Sequence, residues 1–301
     1  MNPYTAIILA NIIMGVTPPI MKVGLTQFPP FLLAFIRFLF ATIVIFPFAL
    51  KKWQNISARD WSLLILAGLL GIGIHIPLFF IGLQRTESII TPVIASSGPV
   101  FLYMVALAFL HERFSLRKFL GMFISLIGVL FIVLIPIILN GTVAHEQEAI
   151  GNALIFLATI IGLFHTVLIK KVSSSIHALQ ISVITFSSGT IFFLPFAVSE
   201  YQHWNVAAVT PIGWFSLVFG AVFVSLIAYT LIHHALTKIP ASDVGIFAYI
   251  DPVAALIVAW PLLGEKPDVY YFIGSVLVFF GIWLAERRIH WHPFHRIKTY
   301  N

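Results

Sequence analysis

Apolar runs long enough to cross a lipid bilayer recur about ten times along this chain, and little is left between them. A spanning helix needs about 20 residues of low polarity. Breaks at Gly, Pro or clustered charge divide the chain near 4–25, 31–50, 61–83, 90–110, 116–136, 150–169, 177–198, 212–236, 241–263 and 269–286. No stretch between them exceeds about 15 residues, so a soluble catalytic domain has no room. Charged residues make up 9% and hydrophobic ones 60%, where a soluble domain carries roughly 25% charged residues; most of the surface therefore faces lipid. The fold class expected is an all-α integral membrane protein of about ten transmembrane helices.

The first apolar segment, YTAIILANIIMGVTPPIMK, lacks a basic n-region and a small-residue cleavage site, so it reads as a retained helix. With no cysteine, disulfide and thiolate metal sites are excluded. Short loops rich in Lys and Arg stay cytoplasmic. An inside N-terminus puts Lys51, Lys52, Arg59, Arg113, Arg117, Lys118, Lys170, Lys171 and Lys238 in inner loops and Arg287, Arg288, Arg296 and Lys298 in an inner tail; only Arg85 and Lys266 fall in outer loops. The expected location is the inner (plasma) membrane, multi-pass, with both termini cytoplasmic. The net charge of +6 then faces anionic lipid, which argues against a nucleic-acid partner.

Shifting the chain by 153 residues against itself pairs Leu83 with Leu236, Ala95 with Ala248, Pro99 with Pro252, Val100 with Val253, Ala106 with Ala259, Glu112 with Glu265, Gly121 with Gly274 and Gly128 with Gly281. Apolar composition yields chance Leu and Val matches, but not Pro, Glu and two Gly in one register. The shift spans five helices, an odd number, so the two halves have opposite orientations, as in the inverted repeats of secondary transporters. The expected organisation is a first five-helix repeat over 1–137, an external connection over 138–149, a second repeat over 150–287 and a basic tail over 288–301.

Pro99 and Pro252 each lack an N–H and clash with the carbonyl four residues back, so the Ala95 and Ala248 carbonyls are freed. Each proline lies about nine to twelve residues into its run, roughly 14–18 Å deep and near the midplane. A freed carbonyl there needs a neighbouring donor or a hydrated cavity. A plain structural kink and a cavity lining both fit such a pair.

Five segments in order, NIIMGVTPPIMK at 11–22, PPFLLAFIRF at 29–38, GPVFLYMVALAFLHER at 98–113, AYTLIHHALTKIPAS at 228–242 and IDPVAALIVAWPLLGEK at 250–266, resemble the drug/metabolite transporter superfamily, EamA-type branch. The resemblance covers residues 4–286 or nearly so. It implies a ten-helix carrier of two inverted five-helix repeats around a central cavity, which exports or exchanges small metabolites such as amino acids. In that family the acid before the second-repeat proline is commonly Glu, so Asp251 is its shortened form. Met14 replaces the tryptophan of the family's usual WG in helix one, and His111 the glycine of its first GE; neither touches the expected cavity.

Asp251 is the leading candidate for substrate binding or coupling, because a short central acid cannot reach the interface and costs about 2.5–3.5 kcal/mol to insert. It fits a counter-charge for a substrate ammonium, a proton carrier, or a carboxyl that only locks helix packing. Lys22 and Arg37 lie about three and six residues from their helix ends, so each either binds a substrate carboxylate or guards the outer mouth, or else snorkels its head to the interface; for Arg37 a depth of ~9 Å strains the snorkel. His75, His165, Ser97, Tyr229 and Tyr249 are polar groups deep in apolar runs. Tyr249 and Asp251, two residues apart and about 200° around a helix, do not share a wall. Ser96 and Ser97 are placed to serve carbonyls freed by Pro99.

Histidine clustering at His233–His234 and in HWHPFH at 290–295 raises a metal reading, but membrane di-iron histidine boxes are absent, and the tail more simply rests on the inner leaflet. Neither cofactor nor metal is implied. Gly121 with Gly128 and Gly274 with Gly281, seven apart, read as close helix packing. Glu112 and Glu265 read as structural, paired with Arg113, Lys118 or Lys266. The function expected is a secondary transporter of an amino acid or similar amphipathic metabolite working by alternating access, with a small-molecule substrate, membrane lipid and protons as its candidate partners. A membrane-embedded enzyme acting on a lipid-like substrate is the alternative, and it would need clustered acids or histidines at one interface. Substrate identity, transport direction and oligomeric state stay open.

Overall fold

The computed structural model describes residues 1–98, 101, 116–140, 143–173, 176–239, 244 and 247–286. Helices make up almost all of these, and none of them lies in a strand. In chain order we label α1 (Pro3–Leu25), α2 (Pro30–Leu50), α3 (Ala58–Leu83), α4 (Ile90–Ala95), α5 (Leu116–Asn140), α6 (Val143–Val172), α7 (Ala178–Gln202), α8 (Pro211–Leu236), α9 (Asp251–Leu263) and α10 (Val269–Glu286). Among the described residues six helices are long and apolar enough to span a bilayer: α1, α2, α3, α7, α8 and the Glu146–Val172 part of α6. The outer surfaces of these helices and of α9 and α10 carry large exposed apolar side chains such as Ile43, Ile191, Ile257 and Phe272, which in water would be a liability and in lipid are the solvent-facing layer. Of the connection expected at 138–149, residues 138–140 continue α5 and 143–149 open α6.

Because lipid tails are as apolar as a protein core, helices in a bilayer associate by close packing instead of by the hydrophobic effect. Glycines supply that packing here. A Cβ on Gly128 would sit 2.7 Å from the Val278 backbone nitrogen and 2.8 Å from the Gly274 carbonyl, which brings α5 and α10 backbone to backbone. Gly15 does the same between α1 and α9, where a Cβ would lie 2.7 Å from Ala254 Cβ and 2.8 Å from the Asp251 carbonyl oxygen. Elsewhere α2 packs along α7, and α3 lies against α6 and α7.

Two helices widen within the bundle. In α3 the turns over Leu69–Ile74 are π-helical, and in α8 those over Phe219–Ala228. The 153-residue shift carries the first segment onto 222–227, inside the second. Such wide turns are rare and concentrate at functional positions. Each presents a glycine to a bulky polar group on a neighbour: the His165 ring lies directly on Gly71, and a Cβ on Gly220 would meet Arg37 Cδ and Nε at 2.8 Å.

The helical break expected near Pro252 is present, but Pro252 opens a helix instead of kinking one. A 3₁₀ turn over Phe247–Ile250 precedes α9, and Pro252 occupies its first turn, where a missing N–H costs nothing. At the other end, Gly264 takes φ +70°, and its N–H bonds the Trp260 carbonyl, stopping α9 directly before Glu265. Pro99 lies outside the described residues. The preceding segment α4 does end in a turn at Ser96–Ser97. There Ser96 Oγ donates to the Pro92 carbonyl at 2.7 Å and Ser97 Oγ to that of Ile94 at 2.6 Å. These hydroxyls therefore serve carbonyls earlier in α4, and not that of Ala95 as expected, because a serine in the last turn reaches back three or four residues.

Candidate functional site

Arg37 rides on α2, whose N-terminus has no side-chain cap of its own; Glu200 of α7 accepts the Leu32 N–H at 2.7 Å instead. Seven residues in, the arginine is 1% exposed. It does not snorkel: the expected reach to the interface is replaced by burial under an aromatic roof. Its guanidinium carbon lies 5.3 Å from the Phe80 ring centre and 5.6 Å from that of Phe38, positions that attract a cation to the ring face. Nη1 approaches Met21 Sδ at 3.5 Å, and Nε has no hydrogen-bond partner among the described residues. Tyr229 stands at the start of the last α-helical segment of α8, 5.7 Å from Phe38 and 6.0 Å from Phe186 between ring centres.

Asp251 begins α9 against Gly15 of α1. Its Oδ1 is buried without a partner among the described residues. Pro18 and Pro19 stand inside α1 just beyond this contact, and they deprive the Met14 and Gly15 carbonyls of intrahelical donors. The acid therefore meets α1 where the backbone offers acceptors. Among the described residues the sole ion pair lies elsewhere, so neither Asp251 nor Arg37 has a charged partner there.

That ion pair joins Lys22 to Glu265 at 2.8 Å. Lys22 Nζ also donates to the Thr86 carbonyl at 2.8 Å, so its head is held by the protein and not by the interface. The second Glu265 oxygen accepts Ser88 Oγ at 2.6 Å and the Ile89 N–H at 3.1 Å. Glu265 is thus paired with Lys22 instead of the expected Arg113, Lys118 or Lys266. One carboxylate ties the end of α1, the entry to α4 and the exit of α9 into a clasp. Burial pushes the Glu265 acid up, but Lys22 and Ser88 outweigh it and hold the group below its ordinary range. Glu87, beside it, is pushed up to about 7, first by burial and then by the Glu265 and Glu148 charges.

The histidines are largely bonded to backbone. His75 Nδ1 donates to the Ala158 carbonyl at 2.7 Å, and His165 Nδ1 to that of Ala67 at 2.8 Å. His233, which the sequence suggested only as a metal candidate, is fully buried 5.8 Å from the His165 ring and lies 2.7 Å from Ser182 Oγ. Since Ser182 donates to the Ala178 carbonyl, His233 Nδ1 donates to Ser182, and its Nε2 is left as a buried acceptor without a partner among the described residues. The Tyr249 side chain lies outside the described residues, and the Ser97 hydroxyl is used within α4. An open depression of about 490 Å³ lined by Thr26, Gln27, Glu200, His203 and Trp204 includes none of the candidate residues.

The sequence profile of the EamA-like transporter family matches residues 1–134 and 149–286. The Bacillus subtilis (strain 168) protein named "Uncharacterized transporter YetK" is 28% identical over 289 residues, spanning 95% of this chain and 87% of its own. An "Uncharacterized transporter" of Archaeoglobus fulgidus is 27% identical over 273 residues, 89% of this chain and 92% of its own. A solved crystal structure superimposes with a TM-score of 0.61 over 95% of this chain and 96% of its own, at 16% identity, which speaks for the fold alone.

Proposed function

Since the chain belongs to the EamA-like transporter family and is a multi-pass membrane transporter, we propose that it is a secondary carrier moving a small amphipathic metabolite by alternating access between two inverted five-helix repeats. The observation that carries this reading is a pair of charged groups, the buried Arg37 and Asp251 with its buried Oδ1, that lack charged partners among the described residues. Isolated charge inside a membrane protein is costly and marks a substrate or ion path. The two profile matches, one per half, and the π-helical segments in register in α3 and α8 support the repeat. The names of the relatives favour a carrier over a lipid-processing enzyme.

With both termini cytoplasmic in the plasma membrane, the Lys22–Glu265 clasp closes the outer mouth. Asp251 is then the main coupling group. The acceptor-rich backbone of α1 beside it suits a carboxyl that takes and releases a proton or that receives a substrate ammonium. The remaining candidates take secondary places: Tyr229 beside Arg37, with His75, His165, Ser97 and Tyr249 as wall positions. The test is a flux screen in proteoliposomes, comparing amino acids, nucleosides and amines with and without an imposed pH gradient. Flux of one class, steepened by the gradient and lost on Asp251→Asn, is expected. A rate independent of the gradient removes Asp251 as the coupling site, and no flux of any class removes the carrier reading.

A further inference from the structure

Asp251 and Arg37 approach α1 at different residues. The Asp251 backbone meets that helix at Gly15, and the Arg37 guanidinium approaches the Met21 sulfur. Arg37 has Tyr229 as its electrostatic neighbour, and no charged group among the described residues acts on Asp251. An α-amino acid carries its ammonium and carboxylate on one carbon, and among the described residues no carboxylate stands beside Arg37 to receive that ammonium. The surroundings of Arg37 are therefore not built as an amino-acid clamp.

Those surroundings define instead what its occupant is. The guanidinium lies beneath Phe80 and beside Phe38, with Tyr229 and Phe186 close by and the Met21 sulfur as the atom its Nη1 approaches. No carboxylate among the described residues lies within ion-pair distance, and Nε is buried without a partner. The planar fork of a guanidinium matches a carboxylate through two parallel hydrogen bonds, and Arg is chosen over Lys where that geometry counts. The π-helical turn of α8 with Gly220 leaves room for the stem of the arginine and holds it in place. The walls offer aromatic and thioether surface and no second cation among the described contacts.

We propose that Arg37 is the carboxylate-binding subsite of the carrier, and that the substrate is an apolar or aromatic monocarboxylate recognised without its ammonium group. The proposal rests on the carrier reading and narrows it: Asp251 is left to the coupling ion, and an α-ammonium on the substrate is tolerated but not read.

Three compounds that share a phenylethyl group test it: 3-phenylpropionate, phenylalanine and phenethylamine, which carry the carboxylate, both charges, and the ammonium. Binding to the full-length protein in detergent is measured by calorimetry, and flux in proteoliposomes. Phenylpropionate is expected to bind, phenylalanine to bind within a fewfold of it, and phenethylamine not to bind. Arg37→Gln is expected to weaken phenylpropionate by about 30-fold or more, as removal of one partner of a buried charge pair does. Arg37→Lys keeps the charge and loses the fork; its folding is checked by circular dichroism, and it is expected to fall between the two. Phenethylamine binding as well as phenylpropionate, phenylalanine binding while both single-charge compounds fail, no binding by any of the three, or folded Arg37 variants binding phenylpropionate like the parent would each overturn the proposal. Carboxylate binding without flux keeps the subsite and removes the carrier reading; flux of amines without carboxylate binding does the reverse.

Discussion

Replacing Glu265 by Gln probes the clasp with the smallest change of shape. The carboxylate accepts three donors, Lys22 Nζ at 2.8 Å, Ser88 Oγ at 2.6 Å and the Ile89 N–H at 3.1 Å. Glutamine offers one oxygen and places an NH₂ against the donors on the other side. A hydrogen bond to a charged group contributes about 1.5–3 kcal/mol when buried, whereas an exposed ion pair contributes about 0–1. The Lys22 side chain is 26% exposed and that of Glu265 is 7%, so about 1.4 kcal/mol of outer closure is the expected loss, a tenfold shift in the open population. The chain has no cysteine, so a single one reports without background. Thr91, 1% exposed and two residues beyond the clasped Ile89, is the reporter position. In right-side-out vesicles, Thr91→Cys is expected to react with a membrane-impermeant maleimide about tenfold faster in the Glu265→Gln background. Equal rates in the two backgrounds would show that the clasp does not close that mouth.

Several other outcomes are expected from the same geometry. Glu87 holds its proton in the folded protein up to about pH 7, while an unfolded glutamate releases it near pH 4.3; the folded state therefore binds more protons between these values, and local stability falls as pH rises through them. Divided by the rate of a free thiol at each pH, Thr91→Cys labelling should accordingly speed up from pH 5 to 8, with Glu87→Gln flattening that normalised profile; a normalised profile unchanged by that substitution refutes the assignment. Gly15→Ala puts a Cβ 2.7–2.8 Å from Ala254 and the Asp251 backbone, and overpacking of this kind costs about 1–3 kcal/mol, readable as a lower thermal midpoint in detergent. Gly128→Val should lower the same midpoint by parting α5 from α10, since its Cβ would meet the Gly274 carbonyl at 2.8 Å; an unchanged midpoint in either variant would show that the helices yield freely.

The membrane class and the helical break before Asp251 were legible because each follows from local chemistry. Uncharged runs of spanning length leave no soluble alternative, and proline at 252 cannot continue a helix through its own missing N–H. Close packing at Gly128 and at Gly274 was also legible, though not that the two face each other, since small residues at helical spacing have few other uses. The Lys22–Glu265 pair was not. Its members are 243 residues apart, and nothing in one sequence distinguishes Lys22 from Lys266 as the partner. Arg37 was ambiguous for a related reason. Whether its head snorkels depends on the roof that Phe80 of α3 brings over it, and that contact is tertiary. The π-helical turns of α3 and α8 leave no signal in apolar periodicity, because the residues in them are apolar on all sides but for Ser225. His233 was legible only as half of a His233–His234 metal candidate, whereas its bonding is set by Ser182 on α7.

Alternating access around Asp251 is tested most directly by one labelling measurement. Asp251→Cys, alone in the otherwise cysteine-free chain, is exposed to a membrane-impermeant maleimide in right-side-out and in inside-out vesicles. Modification from both sides, in separate experiments on intact vesicles, is the predicted result. Protection from both sides, with full labelling after denaturation, would contradict a water-filled path to that residue and with it the carrier mechanism.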